Sequence, residues 1–296
     1  MNGEPLVPHP DDKSPLLEAV TAKAHQKESG HWYRRHVGIS PADRCTYTQV
    51  ATVPARDGSP RPATLRDARK HDFAPGVTTI IGCCDKPGLT NWMVDQGILA
   101  ALTLPRNAAE TEAEYLRRVK EDSKAQAAAA AAEGTRIHAA IQASIQGEPV
   151  DHAYLEHVEG IRRVLPAVGG AWIAEATVGH SFGFGTKADL HNGRCLIDFK
   201  GKDGDQEALD GMELYDEHLM QLAATHEAIR ETTGVGSLRC GILFVSRTHP
   251  GAASLRWAFD AKDENDRDGL RAWLMFQALL TYWQLKQNHR PWLKEF

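Results

Sequence analysis

The 296-residue chain is 42% hydrophobic and 25% charged, the balance of a globular protein with a substantial core in one large domain or two small ones. Its formal net charge of -5 and pI of about 6.3 argue against broad, non-specific duplex binding, which needs a basic face, while leaving room for a local groove of Lys and Arg. No run of 18 apolar residues suggests a membrane span, and the opening MNGEPLVPHPDDKSP lacks the charged-then-apolar order of a secretory leader.

Residues 1–15, rich in Pro and Asp, read as a mobile arm, and 16–296 as a single domain. Residues 16–37 suit a helix, with Leu16, Leu17 and Val20 at apolar positions. Residues 40–76 read as irregular, with a short strand near Tyr47–Val53. Val77–Cys84 fits either a strand or a helix start. Leu89–Leu102 is expected to be a helix with Trp92 and Ile98 in the core. Residues 107–146 read as a helix with a break. Six alanines from Ala127 to Ala132 suggest close packing against a neighbour; Gly134 follows, and Ile137, Ala140, Ile141 and Ile145 then return at helical spacing. From Trp172 the pattern changes to strands near 172–178, 183–191 and 194–200. A helix over 213–232 is expected to stop at Gly234, followed by strands at 239–246 and 254–259 and a last helix over 266–288 carrying Leu270, Trp273, Leu274, Leu280 and Trp283. This order implies a mixed α/β domain whose N-terminal part, 16–133, is mainly helical.

The five cysteines, Cys45, Cys83, Cys84, Cys195 and Cys240, are odd in number and irregular in spacing. They suit a reducing cytoplasm better than a disulfide framework. Cys83 and Cys84 lack zinc-ligand spacing.

The most informative stretch is GFGTKADLHNGRCLIDFKGKDG, residues 183–204. Asn192-Gly193 is a strong hairpin signal. With those two residues as the loop, Asp189 pairs with Leu196, and Asp189, Leu196, Asp198 and Lys200 share one face. Asp189 and Asp198 become diagonal neighbours with α-carbons roughly 7–8 Å apart. Two carboxylates so placed repel unless a cation sits between them. Lys187 is expected opposite Asp198, as an ion-pair partner, a rival catalytic group or a solvated charge. Ile197 and Phe199 point to the core. The same pattern also describes the polar face of an exposed edge hairpin, and an Asp-x-Lys alone decides nothing.

The surrounding residues add an ordered set. Gly134-Thr-Arg-Ile-His138 precedes Glu175 in WIAEATVG; Gly183 and Gly185 lead to Asp189; Asp198-Phe-Lys200 follows; and Gln221 lies in MQLAATHEA. In order and spacing this resembles the PD-(D/E)XK nuclease superfamily, in particular its RecB-like exonuclease branch. APGVTTIIGCCDKPGLTNW is similar to a segment of phage and mitochondrial members, which favours a helix start at Val77–Ile81. Two departures stand out. Thr225, followed by His226, occupies the place of the usual Tyr, and the approach from Gly to Asp189 is one residue longer than the tightest form.

The resemblance implies a restriction-endonuclease-like α/β fold with a catalytic core over 134–296, and a Mg²⁺- or Mn²⁺-dependent deoxyribonuclease acting at DNA ends in recombination, repair or phage DNA processing. It implies Glu175, Asp189, Asp198, Lys200 and Gln221 as catalytic residues. His138, Asp189, Asp198 and the backbone carbonyl of Phe199 are the implied metal ligands. Arg136 and Lys202 flank the motif and read as substrate-phosphate contacts or as solvated charges. Lys86 reads the same way, and Trp92 reads as a substrate contact or a core residue. His31-Trp32-Tyr33-Arg34-Arg35 mixes aromatic and basic residues that either stack bases or pack internally. Relatives with an iron–sulfur cluster use three late cysteines; none follows Cys240, so no cluster is expected. The implied partners are DNA, as a single strand or duplex end, and a recombination or single-strand-binding protein, without a membrane. The implied setting is a bacterial or phage-infected cytoplasm or an organelle. The competing readings are a non-cutting nucleic-acid-binding module on the same fold, an RNA-directed nuclease, and an interaction protein docking through the Trp-rich last helix.

Overall fold

The computed structural model describes residues 31–38, 44–85, 87–167, 170–263 and 265–292. Its centre is a five-stranded mixed sheet of β6 (Ile173–His180), β7 (Phe184–His191), β8 (Cys195–Lys202), β9 (Arg239–Ser246) and β10 (Ala253–Asp260), in the order β10-β9-β8-β7-β6. Only β8 and β9 run parallel. A parallel pair needs a crossover. It is supplied by α6 (Gln206–Asp210) and α7 (Asp216–Thr233), and α7 stops at Gly234 in a left-handed cap with φ 73°.

Helices cover both faces, so the sheet is the middle of three layers. On one face, α4 (Glu112–Gln146) and α5 (Leu155–Val164) bury Ile137, Ile141 and Ile161 against Leu190, Ile197, Phe199 and Leu243. On the other, α7, α8 (Asp268–Gln287) and α2 (Val77–Ile81) bury Leu222, Phe276 and Ile80 against Phe184, Leu196, Ile242 and Phe244. Strands β8 and β9 are buried on both sides, which explains the nearly unbroken apolar run of 240–246. The fold is α/β, with helices flanking a mixed sheet. Among the described residues no helix is long and apolar enough to cross a membrane.

Several expectations change in the N-terminal part. Residues 16–30 lie outside the described residues, but Trp32–His36 is a strand, β1, paired with β2 (Thr46–Val50) and β5 (Ala74–Pro75). A further hairpin joins β3 (Thr52–Pro54) to β4 (Pro60–Pro62) before α1 (Leu65–His71). Among the described residues this part therefore carries short strands beside its helices. Trp32 and Tyr33 are buried, and Arg34 and Arg35 lie over the rings of Phe73 and Trp292. The two rings thus pack internally, Trp32 and Tyr33 pointing to opposite faces of β1 and each entering a separate apolar cluster.

Tyr33 also explains a glycine. A Cβ on Gly185 would come within 2.3 Å of the Tyr33 ring, so the glycine approach to Asp189 is where β1 crosses β7.

Helix α3 (Pro87–Thr103) forms where expected, yet Trp92 and Ile98 are exposed. Helix α4 runs unbroken from its Thr111–Glu114 capping box to Gly147. Four of its six alanines, Ala128, Ala129, Ala131 and Ala132, are exposed, so high helix propensity rather than close packing accounts for the run.

Candidate metal centre

The hairpin turns one residue later than its Asn-Gly pair suggests. The Asn192 side chain accepts the N–H groups of Arg194 and Cys195 at 3.1 and 2.8 Å, its own N–H reaches the Cys195 carbonyl, and Gly193 takes φ 75°. Gly193 and Arg194 are therefore the loop. The ladder pairs Leu190 with Ile197 and His191 with Leu196, which sets Asp189 against Asp198 instead of Leu196. Beyond that step β7 and β8 part. The Asp189 Oδ2 fills the opening and accepts the Phe199 N–H at 2.8 Å.

A second irregularity faces it on β6. Glu175 has φ 57° and interrupts the β6–β7 ladder between Ala174↔Leu190 and Ala176↔Ala188. That left-handed conformation costs a non-glycine residue roughly 1–2 kcal/mol. It also reverses the faces of both strands. Ala174 and Leu190 belong to the core beneath α4, whereas Ala176 and Ala188 belong to the core beneath α7. Simple alternation, which assigned Asp189 to a flat polar face, fails at this point.

The third group comes from α4, where Ile137 anchors the helix and His138 follows. The His138 ring meets Phe199 edge-on, with centroids 5.5 Å apart. His138, Glu175 and Asp189 each offer one ligand atom, and these atoms lie within 4.8 Å of one another. One imidazole nitrogen and two carboxylate oxygens form a donor set that fits a divalent cation.

Asp198 is not one of these three. Its Oδ1 accepts from Gln221 Nε2 at 2.6 Å, and its Oδ2 lies 2.6 Å from Lys200 Nζ. Lys200 also donates to Gln221 Oε1 at 3.0 Å. These three side chains close a triangle between β8 and α7, beside the His–Glu–Asp group. The expected pairing of Asp189 and Asp198 as joint ligands is thus redistributed. Glu175 joins His138 and Asp189, while Asp198 is engaged by Lys200 and Gln221.

The electrostatics link the two groups. Burial pushes the Asp189 carboxyl well above the usual range, with the neighbouring Asp198 charge adding to the rise and the Phe199 N–H opposing it. Burial lowers the His138 pKa against the charge of Asp198, which favours the neutral imidazole that a metal requires. Burial disfavours the Lys200 charge, but Asp198 outweighs it and the pKa rises.

The remaining candidates divide. Lys187 pairs with Glu175, not with Asp198. Arg136 is exposed and tied to Glu133 at 2.6 Å along its own helix. Lys202 is half-buried, and its pKa is lowered by burial and by the charges of Arg247 and Lys200. Lys86 lies outside the described residues. Thr225 and His226 are buried, and His226 Nε2 accepts the Leu238 N–H at 3.2 Å, which ties α7 to the residue before β9.

One neighbour escaped the sequence reading. His218 on α7 senses the charges of Lys200 and Asp198. Its position three residues before Gln221, on the same helical face, was the available signal. No family model matches this sequence, and no curated protein matches it.

Proposed function

We propose that the chain is a Mg²⁺- or Mn²⁺-dependent deoxyribonuclease that hydrolyses phosphodiester bonds at DNA ends. The observation that carries this reading is the convergence of His138, Glu175 and Asp189 within 4.8 Å beside an ammonium, Lys200, held by Asp198 and Gln221. A bound cation would supply Lewis-acid polarisation of the phosphate and activation of water.

The chain's own residues supply the rest. Lys200, with its raised pKa, keeps its proton at neutral pH. It therefore acts as a charged donor toward developing negative charge, not as a proton acceptor. Gln221 holds Asp198 and Lys200 in one geometry. Asp189 is held by the Phe199 N–H, and the left-handed backbone of Glu175 sets its side chain within reach of the same point. Such preorganisation favours a hydrolytic site over a passive binding surface.

The test uses end-labelled linear DNA and a closed circle, in Mg²⁺, Mn²⁺ and chelator, with the unaltered chain, Asp198→Ala and Lys200→Ala. Metal-dependent release of label that both substitutions abolish is expected. Unchanged cleavage by both variants removes the assignment, and equal rates on closed circles remove action at ends.

A further inference from the structure

The site holds two lysines in different circumstances. Lys200 is gripped by both Asp198 and Gln221. Lys187 has Glu175 as its ion-pair partner and keeps 37% of its side chain exposed. Glu175 is also one of the three groups that converge on the candidate metal position. Glu175 and Lys187 line a groove whose other wall is the α4 face at Ala131, Gly134, Thr135, His138 and Gln142. The ammonium of Lys187 therefore neutralises a carboxylate that a divalent cation would need, in the wall of this groove.

We propose that Lys187 is a resident counterion that a divalent metal displaces from Glu175, and that the freed ammonium then holds a DNA backbone phosphate in the groove beside α4. This rests on the nuclease reading above and adds a coupling to it: metal and polyanion strengthen each other's binding through one side chain. Two cations at one carboxylate repel each other, so the carboxylate cannot serve both at full strength. Transfer to a phosphate leaves the ammonium paired. A flexible four-carbon stem with three donors suits such a move, whereas a planar guanidinium would have to reorient its fork. Couplings of this kind change affinities by about 5–150-fold and act equally in both directions.

The experiment compares the unaltered chain with Lys187→Met, which keeps the apolar stem, and Lys187→Arg, which keeps the charge. Mn²⁺ affinity is measured by titration calorimetry. Affinity for a phosphorothioate DNA oligonucleotide is measured by fluorescence anisotropy, with Mn²⁺ and with chelator. Lys187→Met is expected to bind Mn²⁺ about tenfold more tightly in the absence of DNA. Its DNA affinity should match the unaltered chain in chelator and fall about tenfold below it in Mn²⁺. Lys187→Arg is expected to retain part of the coupling. Equal weakening of DNA binding with and without Mn²⁺ would mark a static surface charge and overturn the proposal, as would unchanged Mn²⁺ affinity. Absence of Mn²⁺ binding by the unaltered chain would overturn the nuclease reading and this proposal together, which separates the two failures.

Discussion

The Asp189 carboxylate accepts the Phe199 N–H at 2.8 Å, so a side chain occupies the place of a strand where β7 and β8 separate. β8 pairs with β9 along its whole length but with β7 only at Leu196 and Ile197. Asp189→Ala would leave the Phe199 N–H without its acceptor, at a cost of about 1–3 kcal/mol. Asp189→Asn retains an oxygen there. Urea unfolding should show the alanine variant less stable than the asparagine variant by about that amount, while calorimetry shows Mn²⁺ binding lost in both. Identical midpoints for the two would mean that the bond does not hold the opening.

Gln221 orients Asp198 and Lys200 from α7 without belonging to the group of metal-ligand candidates. Removing such a supporting partner commonly lowers metal affinity or activity about 10–100-fold. Gln221→Leu, similar in volume, should fold normally and cut end-labelled DNA slower by that factor. A rate within twofold of the unaltered chain would assign Gln221 to packing alone.

Gly134 lies inside α4, and a Cβ built there meets nothing within 4 Å. Glycine in a helix interior is less favourable than alanine by about 0.8–1.0 kcal/mol. Gly134→Ala should therefore raise the melting temperature by about 2 °C. The added methyl projects beside the groove that Gly134 helps to line, and DNA affinity should fall. A more stable variant with unaltered DNA affinity would place the substrate elsewhere.

His218 supplies the pH dependence. Its Nδ1 accepts the Tyr215 N–H at the start of α7, at 3.3 Å. Burial, and then the Lys200 charge, bring its pKa down to about 4, against about 6.5 in an unfolded chain. The unfolded state thus takes up this proton first as pH falls. The stability contributed by the neutral ring is complete above about pH 6.5 and is lost progressively as pH falls toward about 4. His218→Gln keeps an acceptor suited to this capping position but does not titrate. Across that window its urea midpoint should fall less steeply than that of the unaltered chain. Parallel curves would show that His218 is not responsible.

The sequence by itself determined much of the element order in the C-terminal half. Short runs bounded by turn residues became β6, β7, β8 and β10, the apolar run at 239–246 became β9, and helical spacing ending at Gly234 became α7, because hydrophobic patterning and turn residues act within a few positions of the chain. It also singled out His138, Glu175, Asp189, Asp198, Lys200 and Gln221, all of which converge on one region of the fold. Tertiary structure alone decided how they divide. The left-handed backbone at Glu175, the one-residue displacement of the Gly193–Arg194 turn and the separation of β7 from β8 reverse the faces that alternation had assigned. The burial of Trp32 and the exposure of Trp92 were likewise decided by the tertiary packing of β1 and α3. Residue type sets what a side chain is able to do, but contacts between distant segments determine which way it faces.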